Sequence, residues 1–346
     1  MSEFLDLPGA VPDPETGVAL HYGDPLAEQR RLATTPAVID RSHRRVVEVS
    51  GPDAPTFLNN LLTQKLDDAP ASFGGFALDL DAQGRILHHV GVMYDGTTFY
   101  LDMPSEQHES FTDYVRRMVF WSDVTIEDSD LQLVSVLSPR GSAPELPEAA
   151  AIRTSAFGAL LLTDALIPSP SPSIFTSAGF DIAGLMAYEA ARVRAVEPEI
   201  HRDLDAKAIP HEVPRFIARG AEPAAVHLNK GCYRGQETVA RVENLGRSPR
   251  LLVTLQLDGS SPTQPEPGAP VTLNGRAVGR LGTVVHDVDY GPIALALVKR
   301  SALGDGSATA VDLDVDGTAA RVDPDSLPTD EGERAGRRAV DALRGR

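Results

Sequence analysis

Apolar side chains recur along this chain at two spacings, one typical of strands and one typical of helices. Alternating or short continuous apolar runs predict strands at 45–49, 76–80, 85–87, 98–103, 123–127 and 131–137. Helical spacing predicts three helices, beginning near Ser50, near Pro104 and near Ile182. Because strands and helices mix without regular β-α-β alternation, the pattern predicts an α+β body.

The pattern changes after Gly246. Short β-rich runs are separated by Gly, Pro and Asp turns, at 250–257, 270–285, 293–298 and 309–322. Such runs are typical of a small antiparallel barrel or sandwich. We therefore expect an irregular N-terminal segment at 1–36, an α+β body at 37–246, a C-terminal β domain at 247–327 and a loose charged tail at 328–346.

Composition narrows the classes of function. The formal net charge of −17 disfavours direct nucleic-acid binding, which needs a broad basic field. The chain has neither a pair of cysteines nor a His-Glu-x-x-His motif to hold zinc, and no apolar run long enough to cross a membrane. A single cysteine and an N-terminus without signal or presequence character indicate a reducing compartment, so we expect a cytoplasmic protein.

The only cysteine, Cys232, lies inside Lys230-Gly231-Cys232-Tyr233-Arg234-Gly235-Gln236-Glu237. Cationic side chains at 230 and 234 would stabilise a thiolate, and the glycines allow sharp turns or close approach to a ligand. The alternative is an inert buried thiol that acts as a small apolar residue.

This octapeptide closely resembles the Lys-Gly-Cys-Tyr-x-Gly-Gln-Glu signature of the YgfZ proteins, which are folate-binding relatives of the glycine-cleavage T-protein, an aminomethyltransferase. Segments at 49–63, 81–86, 209–212 and 239–246 resemble the same family. The resemblance implies a T-protein-like α+β body of two interleaved parts, one of them ferredoxin-like, around a folate channel, with a C-terminal antiparallel β-barrel. It also implies tetrahydrofolate-dependent assembly or repair of iron–sulfur proteins, with effects on tRNA modification through enzymes that carry clusters.

Two departures from the family concern the pterin end of the folate site. Where aminomethyltransferases have Gly-Gly-Ile-x-Asp-Asp, this chain has histidine at both acidic positions, His88 and His89. Adjacent strand residues point to opposite faces, so at most one can face the folate. That histidine would be an acid or base beside the pterin; in the alternative, one of the two is a surface histidine and the other a satisfied core residue. Glycine-cleavage activity is therefore not expected.

The second departure lies after Arg192, which fits the family pattern. The family's acidic residue is Arg194 here, and its glycine is Val196. Because a carboxylate commonly holds the pterin edge, another one must do so or the pterin sits differently. The candidate carboxylates are those of Glu189, Glu197 and Glu212, each of which is alternatively an ordinary solvated charge.

The remaining folate contacts that the resemblance implies are cationic or aromatic. Tyr233 would either stack on the folate rings or pack in the core. Gln236 belongs to the same signature and is assigned to the same site. The candidates for the carboxylates of the folate tail are Lys230, Arg234, Arg241 and Arg250, although Arg241 would alternatively pair with a neighbouring glutamate.

Three functions remain open from the sequence. In the first, the chain is a folate-dependent factor for iron–sulfur client proteins in which the Cys232 thiol acts. In the second, it is a non-catalytic folate-binding scaffold that docks to client enzymes. In the third, it is a folate-dependent aminomethyltransferase or demethylase.

Overall fold

The computed structural model describes residues 2–141, 145–146, 148–217, 224–261, 263–303 and 312–328. The tail predicted at 328–346 lies outside these residues except for Pro328. In the part of the chain that is described, no helix is both long and apolar enough to cross a membrane.

The described residues form strands and helices in an irregular alternation. The strands are β1 Ala10–Pro12, β2 Ala19–Tyr22, β3 Ala37–Asp40, β4 Arg45–Ser50, β5 Phe73–Leu80, β6 Ile86–Tyr94, β7 Thr98–Met103, β8 Thr125–Asp128, β9 Gln132–Pro139, β10 Ala151–Phe157, β11 Leu160–Ile167, β12 Asp181–Ile182, β13 Arg250–Leu257, β14 Pro270–Leu273, β15 Arg276–Asp287, β16 Gly291–Lys299, β17 Asp312–Val315 and β18 Thr318–Val322. The helices are α1 Pro25–Arg31, α2 Ala54–Leu61, α3 Ser105–Arg117, α4 Pro172–Ser177, α5 Leu185–Arg194, α6 Ile200–Asp203 and α7 Gln236–Leu245. Short 3-10 turns lie at Glu3–Asp6, Pro210–Glu212, Pro214–Phe216, Arg300–Ala302 and Pro324–Ser326.

The chain divides into two compact units that are interleaved along the sequence. Unit 1 consists of Met1–Asp79, His88–Ala195 and Ala218–Tyr233. Unit 2 consists of Leu80–Leu87, Val196–Ile217 and Arg234–Arg346. The division differs from the predicted boundary at 246, because segments of the expected body belong with the C-terminal strands.

The first sheet of unit 1 has the order β5-β6-β7-β4-β8. Its apolar face packs against α2 and α3, since Phe57 and Leu58 of α2 and Phe111 of α3 are buried in one cluster with Val90 and Leu101 of the sheet. The strands predicted at 45–49 and 98–103 are confirmed as β4 and β7, and the helix predicted after Pro104 is confirmed as α3.

The second sheet of unit 1 has the order β10-β11-β9-β3-β12, with β3 and β12 parallel and the other pairs antiparallel. Helix α5 packs on it through Ala187, Tyr188 and Ala191, against Ile39 and Leu137. The alternating pattern failed to indicate the β10–β11 hairpin. Helix α4 begins at Pro172, inside the Pro/Ser-rich run from Ile167 to Ser173.

The N-terminal segment 1–36 was expected to be irregular, and the structure corrects this. It contains the 3-10 turn, the β1–β2 pair and α1, which has Asp24 as N-cap and Pro25 in its first turn. The buried Glu28 holds these short pieces in place, since its carboxylate accepts from the backbone N–H groups of Tyr22 and Gly184. Elements of this length hold too few apolar positions to produce a recognisable period.

The C-terminal strands of unit 2 form a closed barrel in the order β13-β16-β15-β14-β17-β18, which confirms the predicted antiparallel barrel. The long run predicted at 270–285 is two strands joined by a turn at Asn274-Gly275, the tight hairpin signal. Helix α6, which also belongs to unit 2, packs onto this barrel, because the carboxylate of its Asp203 accepts from the backbone N–H of Thr283 at 2.7 Å.

Candidate functional site

Lys230 anchors the first half of the octapeptide, and it does so through backbone carbonyls. Its ammonium donates to the carbonyl oxygens of Asn59, of Leu62 at 2.6 Å and of Gln64 at 2.9 Å. These carbonyls lie at and just beyond the C-terminal end of α2, where a positive charge is favourable. An ammonium has three donors, so the group is fully used. Lys230 therefore holds the loop instead of reaching for a folate carboxylate, which corrects the predicted role.

Burial also changes the pKa of the Lys230 ammonium. It lowers the pKa of the Lys230 ammonium to about 8, while the carboxylate of Asp67 acts in the opposite direction. The ammonium also lies 5.0 Å from the centroid of the Tyr233 ring. Lys230 is thus a half-buried cation fixed on three sides.

Two neighbouring polar side chains fasten the segment that leads into the octapeptide. The Thr63 hydroxyl donates to the Ala225 carbonyl at 2.7 Å and accepts from the Leu78 N–H at 2.8 Å. The Gln64 side-chain amide donates to the carbonyls of Ala224 at 2.5 Å and Phe76 at 3.0 Å. The turn after α2 therefore ties the approach to Cys232 to strand β5.

Cys232 itself is exposed. Of the alternative of an inert buried thiol, the burial is therefore wrong, and the reactivity of the thiol stays a prediction. Tyr233, directly after it, is buried, and burial raises the pKa of its phenol to about 12. The loop thus presents the sulfur to solvent between one anchored cation and one buried ring.

The second half of the octapeptide belongs to unit 2 and opens α7. Gly235 is the N-cap of this helix, with a positive φ of 82°. A Cβ at this position would lie 2.7 Å from the Asp81 carbonyl oxygen and 2.9 Å from the Cα of Gly84. The glycine is therefore required both by its backbone conformation and by the close approach of the turn at 81–84.

Three predicted folate contacts lie in this half of the octapeptide and in the helix α7 that it opens. Arg234 and Gln236 are partly buried, at the entry to α7 and at its first residue. Arg241 is exposed on α7, and within the described residues it makes no ion pair with Glu237 or Glu243. Glu243 instead bonds His211 at 3.1 Å. Arg241 is therefore a solvent-exposed cation of α7, and its contact with a folate carboxylate stays a prediction.

His88 and His89 lie side by side on β6 and point to opposite faces, as predicted. His88 is buried and is hydrogen-bonded at both ring nitrogens, to Asp79 at 2.8 Å and to Ser110 at 2.9 Å. This arrangement matches the satisfied-core alternative and does not favour an acid or base beside a pterin.

His89 lies on the other face of the same sheet. Its ring is tilted against Phe76 at 5.6 Å between centroids, and its backbone N–H donates to the side chain of Gln107. The Phe76 ring also lies 4.5 Å below the guanidinium carbon of Arg153. Of the two histidines, His89 therefore remains the candidate for contact with a ligand, and this stays a prediction.

Arg153 is the centre of a buried ion cluster that the sequence did not reveal. Its guanidinium bonds Asp102 and Asp164, both at 2.6 Å, and Arg44 contacts Asp102 from the other side at 2.9 Å. Burial alone would raise the pKa of the Asp102 carboxyl, but the Arg153 and Arg44 guanidiniums outweigh it and hold that pKa well below its usual range. Gly91 makes room, since a Cβ there would collide with both Arg153 and Asp102.

Each carboxylate proposed for the pterin is paired with an arginine. Glu189 bonds Arg192, which is fully buried, at 2.7–3.2 Å within α5. Glu197, in unit 2, pairs with Arg215. The Glu189 side chain keeps 18% of its surface exposed although it is paired with Arg192.

Glu212 is buried, and both of its oxygens accept from Arg250, at 2.7 and 2.8 Å. Arg250 also bonds Asp205, at 2.5 and 3.1 Å. These four contacts involve all three nitrogens of the guanidinium and both oxygens of Glu212. Glu212 and Arg250 therefore stabilise unit 2, which corrects their predicted roles at the pterin and at the folate tail.

Comparisons with known proteins support the same family along most of the chain. A domain family described as "CAF17, C-terminal beta-barrel domain" matches residues 250–329. The mitochondrial iron–sulfur cluster assembly factor IBA57 of Homo sapiens is 31% identical over 266 residues, which are 68% of this chain and 71% of that protein. The tRNA-modifying protein YgfZ of Edwardsiella ictaluri is 28% identical over 259 residues, which are 69% of this chain and 76% of that protein.

A further relative and one solved structure are also similar to this chain. The IBA57 homologue of Neurospora crassa is 26% identical over 255 residues, and the match spans only 55% of that protein. The crystal structure of the glycine cleavage system aminomethyltransferase T from Bartonella henselae superposes with a TM-score of 0.75 and 17% identity. The superposition covers 92% of this chain and 94% of that structure, so the T-protein-like fold is shared along almost all of both chains.

Proposed function

The chain belongs to the family of IBA57 and YgfZ, and from this premise we propose that it is a tetrahydrofolate-binding factor that assists the assembly or repair of iron–sulfur proteins, with Cys232 as its functional thiol. The names of its relatives refer to iron–sulfur cluster assembly and to tRNA modification. We further propose that the chain acts in the cytoplasm on iron–sulfur client proteins, and that any effect on tRNA modification passes through client enzymes that carry clusters.

The observation that carries the thiol proposal is an exposed Cys232 on a loop fixed by Lys230. A thiol that serves only packing is normally buried, whereas a nucleophile or a transient metal ligand needs access from solvent. Because Lys230 is hydrogen-bonded to three carbonyls, the loop holds the sulfur in one place. Positioning of this kind supports transfer to or from a client protein.

The described side chains fit folate partly. Within unit 1, Glu189 is oriented by Arg192, and a carboxylate has lone pairs beyond those that one guanidinium uses. Within unit 2, and taken by itself, Arg241 is exposed and offers a guanidinium for a carboxylate. When bound, tetrahydrofolate supplies the carrier chemistry of one-carbon units. The residues of this chain would orient it and exclude water.

The first test is calorimetry with tetrahydrofolate on the wild-type chain and on Glu189→Gln and Arg241→Gln. We expect binding by the wild type and about tenfold weaker binding by each variant, as befits the loss of one charge-assisted hydrogen bond. Lys230 and Glu212 are excluded from this series, because replacing either would disturb the fold. Absence of binding at millimolar tetrahydrofolate would contradict the folate proposal.

The second test separates the thiol from folate binding. A Cys232→Ser variant should bind tetrahydrofolate like the wild type and should fail to restore the activity of iron–sulfur enzymes in cells that lack the chain. Full restoration by Cys232→Ser would eliminate the thiol role and leave a scaffold.

The scaffold remains the second candidate because of one surface feature. Phe120 and Trp121 follow α3 and expose 73% and 99% of their surface. Large exposed aromatic side chains are typical of protein-binding hot spots. Under this alternative, a client protein covers Trp121, and Trp121→Ala would weaken client binding while leaving folate binding intact.

A further inference from the structure

Three polar side chains of unit 1 form a hydrogen-bonded line from the interior to the surface. The Asp79 carboxylate lies 2.8 Å from Nδ1 of His88, and Nε2 of His88 lies 2.9 Å from Oγ of Ser110. The Asp79 side chain is fully buried and that of His88 nearly so, whereas Ser110 is exposed on α3. The order of groups and both distances are those of a nucleophilic serine activated by a histidine and an aspartate.

The protonation pattern follows from the two hydrogen bonds. An ionised carboxylate only accepts, so the proton of a neutral His88 ring lies on Nδ1, facing Asp79. Nε2 is then an acceptor, and Ser110 must donate its hydroxyl proton to it. The other acceptor near this hydroxyl is the Gln107 carbonyl at 3.2 Å, which is the longer contact. The geometry therefore directs the hydroxyl proton towards the histidine.

The histidine is held rigidly. The ring contacts Phe111 edge-on, at 5.4 Å between centroids and 70° between planes. Asp79 lies on β5 and His88 on β6, which are neighbouring strands, and Ser110 and Phe111 lie on the helix that covers them. Fixed elements of this kind keep a catalytic array in register better than loops do.

We propose that Ser110 is an activated nucleophile that accepts an acyl group from neutral or cationic activated esters. In the step, Oγ of Ser110 bonds to the carbonyl carbon of the ester, and its proton passes to Nε2 of His88. The bond from the carbonyl carbon to the leaving oxygen breaks, and the proton passes from His88 to that oxygen, so the products are acyl-Ser110 and a free alcohol. Asp79 orients the ring and stabilises its cation.

The surroundings of Ser110 set the rate and the preferred donors. Ser110 lies in the middle of α3, where backbone N–H groups are used within the helix, so α3 supplies no oxyanion hole. We therefore expect slow, stoichiometric acylation, since each hydrogen-bond donor missing from an oxyanion hole lowers the rate by a factor of roughly 10²–10³. Glu106 and Asp113 are exposed on the same helical face and would repel anionic donors.

The test uses a chain with Cys232→Ser, which removes the only thiol. It is incubated with p-nitrophenyl acetate or a fluorophosphonate probe, and the adduct is located by peptide mass analysis. We expect one adduct at Ser110, no adduct in Ser110→Ala, and at least a tenfold slower reaction in His88→Gln and Asp79→Asn. Ser105→Ala is the matched control, because Ser105 is exposed on the same helix, and its adduct at Ser110 should form at the unchanged rate.

Two results would overturn the proposal. One is a folded chain, verified by circular dichroism, whose Ser110 stays unlabelled while other hydroxyls react. The other is an adduct at Ser110 that forms equally fast in a folded Asp79→Asn or His88→Gln variant. The proposal does not depend on folate, so its outcome is separate from that of the calorimetry.

Discussion

Gly84 and Gly235 touch backbone to backbone, and neither position has room for a side chain. A Cβ at Gly235 would lie 2.9 Å from the Cα of Gly84, and a Cβ at Gly84 would lie 2.7 Å from the Cβ of Thr238. Both residues have φ near 80°. The start of α7 and the turn at 81–84 are therefore packed together at a distance that only glycine permits.

Gly235→Ala should lower the free energy of unfolding by about 2 kcal/mol or more, because it adds backbone strain to a steric clash. Gly231→Ala is the control within the same octapeptide, since no other atom lies within 4 Å of the position of its Cβ. Urea unfolding followed by circular dichroism compares the two. Equal midpoints for both variants would contradict this account of the turn.

Lys230→Met should destabilise the chain by roughly 2–4 kcal/mol, because three carbonyls lose their donor where water has limited access. The matched control is Lys65→Met, because the Lys65 ammonium pairs with the exposed Asp67 and Asp68 and its loss should change stability little. An unchanged unfolding midpoint would show that the three hydrogen bonds add nothing.

Lys230 also predicts a dependence of stability on pH. Its pKa of about 8 in the folded chain lies below the ordinary lysine value, so the unfolded chain binds more protons between about pH 8 and pH 10.4. The contribution of Lys230 to the free energy of unfolding should therefore rise with pH across this window. The measurement is the difference in stability between the wild type and Lys230→Met from pH 7 to pH 10.5. A difference that falls with pH would contradict the lowered pKa.

Val196→Gly should stabilise the chain. Val196 follows the C-terminal end of α5 with φ at 53°, a left-handed conformation that β-branched residues rarely adopt. Relief of about 1–2 kcal/mol of strain exceeds the entropic cost of glycine, so a net gain of about 0.5–1 kcal/mol is expected. Asn274→Gly is the control, since asparagine at φ 51° tolerates this region. Loss of stability in Val196→Gly would show that side-chain packing outweighs the strain.

Asp102→Asn should cost about 3–5 kcal/mol at pH 7, because it leaves the buried Arg153 without one of its two partners. The folded-state pKa of Asp102 is depressed, so its contribution is present above the ordinary aspartate value near 3.9 and is lost as the pH falls below it. The gap between wild type and variant should thus shrink from pH 4 downwards. Asp312→Asn, in an exposed pair with Arg321, is expected to have little effect at any pH.

The sequence predicted those elements whose buried face is apolar. Strands β4 and β7 and helix α3 follow the expected periods, and the barrel strands follow from their turns. Strand β10 was missed because its pattern is inverted: Ile152 is exposed, whereas Arg153 and Ser155 point inward. Helix α7 was missed because, among its side chains at 236–244, only Val239 is buried, so these residues show no apolar stripe to recognise.

Only part of the candidate site could be predicted from the sequence, for a similar physical reason. Signature residues are visible in the sequence, so Lys230, Cys232 and Tyr233 were found. Their partners are main-chain carbonyls near Asn59 and Gln64, and carbonyls carry no residue-specific signal. The pairing of Glu212 with Arg250 was hidden likewise, since the two residues lie 38 positions apart.

Trp121 is the only tryptophan of the chain and is almost completely solvated in the folded state. Its emission should therefore resemble that of an unfolded protein from the start, and unfolding should scarcely shift it. Fluorescence is thus a poor reporter of folding here and a clean reporter of docking, because a blue shift can arise only when another molecule covers this one indole. The chain carries its own optical probe for the partner that the scaffold alternative requires.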